Sequence, residues 1–324
     1  MNRVIGLAFA VFVALAASLA FSARKLPPMP ATETQIRNVL LLDAQRTGER
    51  LVAVGEQGLI FASEDGGASW RRVASNTDVT LTSVAFADAQ LGLAVGHDAV
   101  ILRSLDGGLS WTEVFRDPQQ LRPLLRVMFV APRRAFAIGA YGAFFESTDG
   151  GATWNERRIV ETDPHFNALA RLTDGTLLLA GEAGTLLRSD DGGSQWEQLA
   201  SPYPGSFFGL LPLPQGAVLV FGMRGNLFRS EDRGASWQAI ATGTENALFG
   251  AARAEAPDVG RVVLVGQNGV VLDSRDAGRS FTLVATHTSR ALSAGRITGQ
   301  KADRVVMFGE GGADILALPE GARQ

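Results

Sequence analysis

Apolar and polar positions alternate along the chain in a unit of 41 to 44 residues. A complete unit contains an apolar run that ends in Gly-x-x-Gly, a second apolar run, and a polar segment with the pattern Ser-x-Asp-x-Gly-x-Ser/Thr-Trp. In the second unit this alternation predicts four strands, over residues 82–87, 91–95, 100–104 and 110–115. Four short strands in a repeat of this length are typical of one blade of a β-propeller.

The polar segment, here called the Asp box, occurs six times and ends in Trp in all copies but the last, where Phe281 replaces it. We predict a structural role, because the aspartate can accept hydrogen bonds from turn N–H groups and the aromatic ring can pack into the blade. Single carboxylates on separate blades do not converge on a metal ion. The predicted structural residues are Asp65, Asp106, Asp149, Asp191, Asp232 and Asp276, with Trp70, Trp111, Trp154, Trp196 and Trp237.

The Gly-x-x-Gly pattern occurs seven times, once more than the Asp box, and Gly96 with Ala99 is its one variant. The sequence therefore predicts an all-β fold, a seven-bladed β-propeller of four-stranded antiparallel blades with Asp-box turns, over residues 37–320. The last repeat ends before a fourth strand. We expect residues 32–37 to supply that strand, so that residues 24–36 form a linker and a ring-closing strand.

The N-terminus has the composition of an export signal. Arg3 precedes an uncharged run over residues 4–23, and Arg24 and Lys25 follow it. We predict that residues 1–23 are either a signal peptide, with cleavage after Ala20, or an uncleaved signal anchor, because this run is also long enough to span a bilayer. In both cases we expect a periplasmic or otherwise extracytoplasmic domain, soluble or anchored by its N-terminus.

Charge and cysteine content argue against several classes of function. The net charge of −3 and the pI near 5.7 give no reason to expect nucleic acid as a partner. The chain contains no cysteine, which excludes disulfides, thiolate nucleophiles, Cys-ligated zinc and a lipid-modified cysteine. We expect a monomer with no cofactor and no bound metal.

The Asp box resembles the bacterial neuraminidase repeat, and with its spacing and seven repeats the chain is similar to the photosystem II stability/assembly factor-like propellers. The resemblance covers nearly the whole chain after the export signal. It implies an assembly factor for membrane-protein complexes, and bacterial relatives outside photosynthesis include proteins associated with membrane exporters. Two features depart from the wider superfamily: Gln195 replaces a hydroxyl residue in the fourth box, and the Arg-Ile-Pro motif of the sialidases is absent.

In a propeller, the turns between second and third strands share one face with the crossovers between blades, and the Asp boxes lie on the other. All three histidines and both tyrosines are predicted to lie on the first face, which is the expected binding surface. An arginine-rich stretch over residues 116–134 forms either a basic patch or a set of solvated side chains. The partner-binding candidates are His97, Arg122, Arg126, Tyr141, His165, Tyr203, Arg224, His287 and Arg290.

Three functions are compatible with these residues. We favour an exported, non-catalytic scaffold or assembly factor that binds a membrane protein or a membrane protein complex, an exporter among the candidates. The alternatives are a carbohydrate-active enzyme of the glycoside hydrolase or sialidase type, which needs two adjacent carboxylates, and a lectin-like binder that stacks sugars on Tyr141 and Tyr203. The carboxylates on the candidate face are Asp98, Asp163, Glu182, Glu245 and Glu310.

Overall fold

The computed structural model describes residues 35–117, 119, 122–255, 258–299 and 301–319. These residues form 27 strands, β1 to β27 in chain order, and five short 3-10 turns. The predicted export signal, residues 1–23, and nearly all of the predicted linker lie outside the described residues. Among the residues that are described, no helix is long and apolar enough to span a bilayer.

The strands form seven antiparallel sheets, one for each predicted blade, and each sheet is built from consecutive strands. Blade 1 contains β1 (Leu41–Thr47), β2 (Arg50–Gly55), β3 (Ile60–Ser63) and β4 (Arg71–Val73). Blade 2 contains β5 (Leu81–Phe86), β6 (Gly92–Gly96), β7 (Ile101–Ser104) and β8 (Thr112–Phe115). Blade 3 contains β9 (Leu124–Ala131), β10 (Arg134–Gly139), β11 (Phe144–Ser147) and β12 (Asn155–Glu156). Blade 4 contains β13 (Phe166–Arg171), β14 (Leu177–Gly181), β15 (Leu186–Ser189) and β16 (Glu197–Gln198).

Blade 5 contains β17 (Phe207–Pro212), β18 (Val218–Gly222), β19 (Leu227–Ser230) and β20 (Gln238–Ala239). Blade 6 contains β21 (Leu248–Arg253), β22 (Val262–Gly266), β23 (Val271–Ser274) and β24 (Thr282–Val284). Blade 7 contains β25 (Leu292–Thr298), β26 (Arg304–Gly309) and β27 (Gly312–Ala317). The 3-10 turns are Glu56–Gly58, His97–Ala99, Pro214–Gly216, Met223–Gly225 and Gln267–Gly269. The predicted seven-bladed β-propeller is confirmed, and the strands predicted in the second repeat agree with β5 to β8 within two residues.

Neighbouring blades share an apolar core, and the aromatic residue of an Asp box belongs to six of these seven cores, the core between blades 6 and 7 being the exception among the described residues. Trp111 of blade 2 lies in one cluster with Val52 of blade 1. The same arrangement closes the ring, because Trp70 of blade 1 meets Phe308 of blade 7 edge-on, with 5.7 Å between the ring centroids. The position that the tryptophans share in the sequence is therefore a repeated packing site between blades.

Blade 7 forms backbone hydrogen bonds with the residues that precede β1. Arg37 pairs with Gly312 as an antiparallel bridge, and the N–H of Asn38 donates to the carbonyl of Gly311 at 3.2 Å. These contacts lie along the free edge of β27, where a fourth strand would add. The rest of the proposed ring-closing strand, residues 32–34, lies outside the described residues.

A β-bulge interrupts the innermost strand of every blade at one equivalent position. The extra residue of each bulge lines a central channel of about 1040 Å³. Because the bulge directly follows the crossover from the preceding blade, the seven side chains form a ring at one mouth of the channel. The bulge residues are Leu42, Thr82, Leu125, Asn167, Phe208, Phe249 and Ser293.

Candidate functional site

The turns of the propeller are sorted onto two faces. On one, here called the crossover face, the Gly-x-x-Gly turns bond to the crossovers between blades; the N–H of His97, for example, donates to the carbonyl of Thr80 at 2.9 Å. On the other, here called the box face, the Asp boxes bond to the turns between first and second strands, and the N–H of Gly107 donates to the carbonyl of Gln90 at 2.8 Å. The crossover face consists of residues 56–58, 97–99, 140–142, 182–184, 223–225, 267–269 and 310–311 and the adjoining crossovers.

On the box face, the Asp-box carboxylates are saturated by local hydrogen bonds. Asp106 accepts bonds from the hydroxyls of Ser104 and Ser110, at 2.8 and 2.6 Å, and from the N–H of Ser110 at 2.9 Å. The indole N–H of Trp111 donates to the carbonyl of Gly108 at 3.2 Å. The first and third boxes repeat this set, and the fifth and sixth repeat its carboxylate bonds. These bonds give the boxes a role in stabilising the turn.

The fourth box lacks two bonds of this set. The N–H of Gln195 donates to the carboxylate of Asp191 at 3.0 Å, but its side chain carries no hydroxyl to make the second bond. The indole N–H of Trp196 has no hydrogen-bond partner among the described residues. Only one of these losses follows from Gln195, because the fifth box keeps its hydroxyl bond and still leaves the indole N–H of Trp237 without a partner in the described part of the chain. The substitution noticed in the sequence therefore removes one side-chain bond and leaves the turn otherwise intact.

Hydrogen bonding lowers the pKa of the box carboxylates. For Asp276, burial is the largest single influence and raises the pKa, but the bonds from Ser280, from Ser274 and from the N–H of Arg279 together outweigh it and lower the pKa to about 2. For Asp149, the hydroxyl of Thr153 is the largest influence and holds the pKa far below its usual range. A general acid needs a raised pKa near the working pH, so these two carboxyl groups are poorly suited to that role.

The third residue of a Gly-x-x-Gly turn adopts a left-handed backbone conformation, with a φ of 55° at both Tyr141 and Arg224. This conformation costs a residue with a Cβ atom roughly 1–2 kcal/mol, and it recurs at the equivalent residue of four other blades, so it belongs to the repeated turn. The side chain of Tyr141 is displayed on the crossover face, where the residue is 59% exposed. Arg224 is also exposed and forms no hydrogen bond or ion pair with any described residue.

Two of the predicted partner-binding residues contact each other across the junction of blades 3 and 4. The ring of Tyr141 meets the imidazole of His165 edge-on, with 4.7 Å between the centroids. His165 is held by Glu182, whose carboxylate accepts its backbone N–H at 2.9 Å and lies 3.8 Å from its Nδ1. The ring of Tyr141 is therefore exposed, and it packs against His165, which Glu182 of blade 4 holds in place.

The other candidates on the crossover face are dispersed. His97 is exposed on the turn of blade 2, and the imidazole of His287 is paired with Asp314 at 2.8 Å. Arg290 donates to the side-chain oxygen of Asn38 at 2.9 Å, beside the ring closure. Tyr203 packs against buried Phe207, with 6.1 Å between the ring centroids. Within the described parts of the chain, no three His, Asp or Glu residues are grouped as a metal site would require.

Arg122 and Arg126 are each paired with a carboxylate of the propeller. The guanidinium of Arg122 lies 2.8 Å from the carboxylate of Glu156 and over the ring of Phe145, and its side chain is only 14% exposed. Arg126 lines the central channel, 3.3 Å from the carboxylate of Asp43. The guanidinium of Arg122 is thus not free on the crossover face, where its crossover position predicted it, and that of Arg126 faces the channel.

The arginine-rich stretch does not form one basic patch. Arg116 lies on the crossover side with Glu113 at 2.8 Å, Arg126 lies in the channel, and Arg133 donates to the carbonyl of Asp149 in an Asp box. Alternation along the strands, and the length of β9 between its two turns, separate these side chains. These arginines are therefore engaged locally, which neither sequence-based expectation, a basic patch or solvated side chains, included.

Most carboxylates of the crossover face also have local partners. Asp98 lies 3.9 Å from Arg116, Asp163 lies 3.5 Å from Arg158, and Glu310 accepts the N–H of Ala291 at 3.1 Å. Glu182 holds His165, as described above. Glu245 forms no hydrogen bond or ion pair with any described residue. No carboxylate pair of the kind that glycoside hydrolysis requires emerges from these contacts.

The sequence pattern did not predict a depression of about 570 Å³ on the crossover face. Its lining comes from blades 5, 6 and 7 and includes Phe208, Met223, Arg224, Glu245, Phe249 and Gln267. Phe208 and Phe249 line the channel as well, and their ring centroids are 5.5 Å apart. Both occupy the bulge position of their inner strand. That shared position appears only in the pairing register of the strands, so the sequence alone carries no signal for it.

Comparison with known proteins relates this arrangement to one family. The sequence model of the photosynthesis system II assembly factor YCF48 matches residues 31–123 and 118–259. A structure of YCF48 bound to a D1 peptide superimposes with a TM-score of 0.69 at 19% identity, over 92% of this chain and 97% of that one. YCF48 from Cyanidioschyzon merolae gives a TM-score of 0.71 at 17% identity, over 89% of this chain and 98% of that one.

A glycoside hydrolase, the GH74 enzyme of Niastella koreensis, also superimposes, with a TM-score of 0.68 at 17% identity. The match covers 89% of this chain but only 44% of the enzyme. At such identities the structural likenesses establish the fold alone. No curated protein sequence matches the chain.

Proposed function

Because the chain belongs to the photosynthesis system II assembly factor YCF48 family, we propose that it is an exported, non-catalytic assembly factor that binds a segment of a membrane protein on its crossover face. Family membership supports the role of assembly factor. The relative described as bound to a D1 peptide supports recognition of a segment of another protein. The partner of this chain need not be a photosynthetic protein, since the family match specifies none of its recognition residues.

One observation carries the choice of face. The crossover face displays large side chains that the fold does not use, Tyr141 at 59% and Met223 at 38% exposure, together with Arg224. On the box face the repeated Asp boxes use their polar groups in local hydrogen bonds, and the large apolar side chains exposed in the box of blade 2 are the leucines Leu105 and Leu109. Aromatic residues, methionine and arginine are enriched in protein interfaces.

Export is proposed from the composition of the N-terminus. Arg3 before the uncharged run over residues 4–23, with Arg24 and Lys25 after it, fits a segment that is recognised by a secretion system. A fusion of residues 1–35 to alkaline phosphatase, which is active only outside the cytoplasm, tests this proposal. We expect activity from this fusion and none from a matched fusion without residues 4–23. Activity from neither fusion would contradict export.

Site-specific photo-crosslinking tests the binding face. A photoreactive phenylalanine analogue replaces Tyr141 on the crossover face, and the matched control replaces Leu105, which is 63% exposed on the Asp box of blade 2. We expect a crosslink to an identified membrane protein from position 141 and none from position 105. A membrane-protein crosslink from position 105 alone would contradict the choice of the crossover face as the binding face. Turnover of a glycan panel by the purified chain would favour the carbohydrate-active alternative.

A further inference from the structure

We propose that the depression over blades 5, 6 and 7 recognises a peptide segment in which a large apolar residue is accompanied by an acidic and a basic residue. This inference rests on the proposed function and specifies the chemistry of the segment that the crossover face binds. Phe208 and Phe249 would contact the apolar residue of the peptide. Arg224 would pair with its acidic residue, and Glu245 with its basic residue.

The floor of the depression provides the apolar contact. Phe208 and Phe249 are half-buried, and their rings lie 5.5 Å apart at the point where the depression meets the channel. Met223, also in the lining, leaves 38% of its surface exposed, and its thioether adapts to apolar groups of different shape. An inserted side chain would remove apolar surface from water on both partners, which is the dominant favourable contribution in most associations.

The bulge explains why these two rings are available. At the same position in blades 2 and 4, Thr82 and Asn167 form hydrogen bonds with the next blade. The side chain of Thr82 donates to the carbonyl of Leu124 at 2.6 Å, and that of Asn167 donates to the carbonyl of Phe207 at 2.8 Å. A phenyl ring cannot make this bond. Blades 5 and 6 thus carry two neighbouring bulge residues whose side chains are free of polar contacts and face the mouth of the channel.

The charges in the lining give the segment its polarity. Arg224 and Glu245 share the depression, yet neither forms a hydrogen bond or an ion pair within the described parts of the chain. Glu310, the third charged residue of the lining, does have a partner, because its carboxylate accepts the N–H of Ala291 at 3.1 Å. Unpaired charges of both signs suit a segment with one charge of each sign better than a uniformly acidic or basic partner, since a like charge beside either group would be repelled.

Gln267 adds a polar contact suited to a peptide backbone. Its side-chain oxygen accepts the N–H of Ala247 at 3.3 Å, which fixes the amide group in the depression. Its side-chain NH₂ group donates no hydrogen bond to any described residue. An amide held in place by one bond and open on its donor side can pair with a main-chain carbonyl of the bound segment.

Selection from a random 12-residue peptide library tests the specificity. The bait is the purified full-length chain in detergent, and peptides that also bind the Phe208→Ala/Phe249→Ala variant are removed. We expect the recovered peptides to share a large apolar residue with one acidic and one basic residue near it. Recovered peptides without such a pattern would overturn the proposal.

A charge swap provides the second test and does not depend on the apolar floor. The exposed substitution Arg224→Glu should weaken binding of a recovered peptide at least about tenfold, and replacing the acidic residue of that peptide with Lys should restore it. Arg133→Glu makes the same charge change on the box face and should have no effect. Equal binding by wild-type and Arg224→Glu proteins would overturn the assignment of Arg224.

The crosslinking experiment separates failure of this inference from failure of the proposed function. If the membrane-protein crosslink from position 141 persists unchanged in the Arg224→Glu and Phe249→Ala backgrounds, the crossover face binds its partner by other residues, and only the specificity assigned to the depression is wrong. Loss of the crosslink in both backgrounds, with retention in Arg133→Glu, supports the depression as the recognition site.

Discussion

The carboxylate of Asp43, on the innermost strand of blade 1, lies 3.1 Å from the guanidinium of Arg296 on the innermost strand of blade 7. The same carboxylate accepts the hydroxyl of Ser83 in blade 2 at 3.0 Å and contacts Arg126 of blade 3 at 3.3 Å. Burial lowers the pKa of Arg296, and the nearby Asp43 opposes that effect. One buried anion therefore connects four blades, two of which meet where the ring closes.

Removing this anion should destabilise the propeller. Asp43→Ala leaves the guanidinium of Arg296 without its counter-ion, and breaking a buried pair in this way costs about 3–5 kcal/mol. Urea denaturation of wild-type and variant proteins measures the loss. Arg304→Ala, an exposed arginine on the same blade as Arg296, is the matched control and should change stability by less than about 0.5 kcal/mol. A similar small change for Asp43→Ala would show that the pair does not hold the ring.

The fold was predictable from the sequence because every blade repeats the same requirements. An Asp box needs a carboxylate and an aromatic ring at fixed spacing, so Asp106 and Trp111 identify blade 2 by themselves. Asp43 and Arg296 carry no such signature, since their contact exists only once the ring has closed. The same limit applies to Phe208 and Phe249, because a bulge depends on the pairing register, and to Arg122, whose pairing with Glu156 could not be read from its position in a crossover.

Truncating the box aromatic should be more costly than removing its carboxylate. Trp111 fills the space between blades 1 and 2, so Trp111→Ala should lower the free energy of unfolding by about 3–5 kcal/mol. Asp106→Ala removes hydrogen bonds to a charged carboxylate, whose exposed donors water can partly satisfy, and should cost about 1–3 kcal/mol. Leu109→Ala, in the same box and 38% exposed, is the control and should have little effect. A larger loss for Asp106→Ala than for Trp111→Ala would mean that the turn bonds outweigh the packing.

Restoring the hydroxyl in the fourth box should stabilise the protein. In Gln195→Thr, the new hydroxyl can donate to the second oxygen of Asp191, as Thr153 does to Asp149 at 2.6 Å. We expect a rise in Tm of about 1–2 °C by scanning calorimetry. The reverse change, Thr153→Gln, should lower Tm by a similar amount. If both substitutions shift Tm in the same direction, the hydroxyl bond is not the cause.

Deleting residues 31–37 should weaken ring closure. The deletion removes Arg37 and its bridge to Gly312 on the free edge of β27, and it shortens the connection to Asn38, which bonds to Gly311 and Arg290. Tm should fall by about 5 °C or more. Deleting residues 26–30, in the proline-rich stretch of the proposed linker, is the control and should leave Tm unchanged. An unchanged Tm for the first deletion would mean that the ring closes without this segment.

Acid should weaken the Asp boxes over a defined range of pH. The pKa of Asp276 falls from an ordinary value of 3.8 to about 2 in the folded protein, so its contribution to stability is complete above pH 3.8 and is lost as the pH falls towards 2. The other box aspartates have lowered pKa values too, and Tm should decline across this range. Asp276→Asn cannot ionise at this position, so the difference in Tm between wild type and variant should be largest at neutral pH and should shrink as the pH falls through the range. A difference that stays constant from neutral pH to about pH 2 would show that the bonds to the ionised carboxylate do not stabilise the turn.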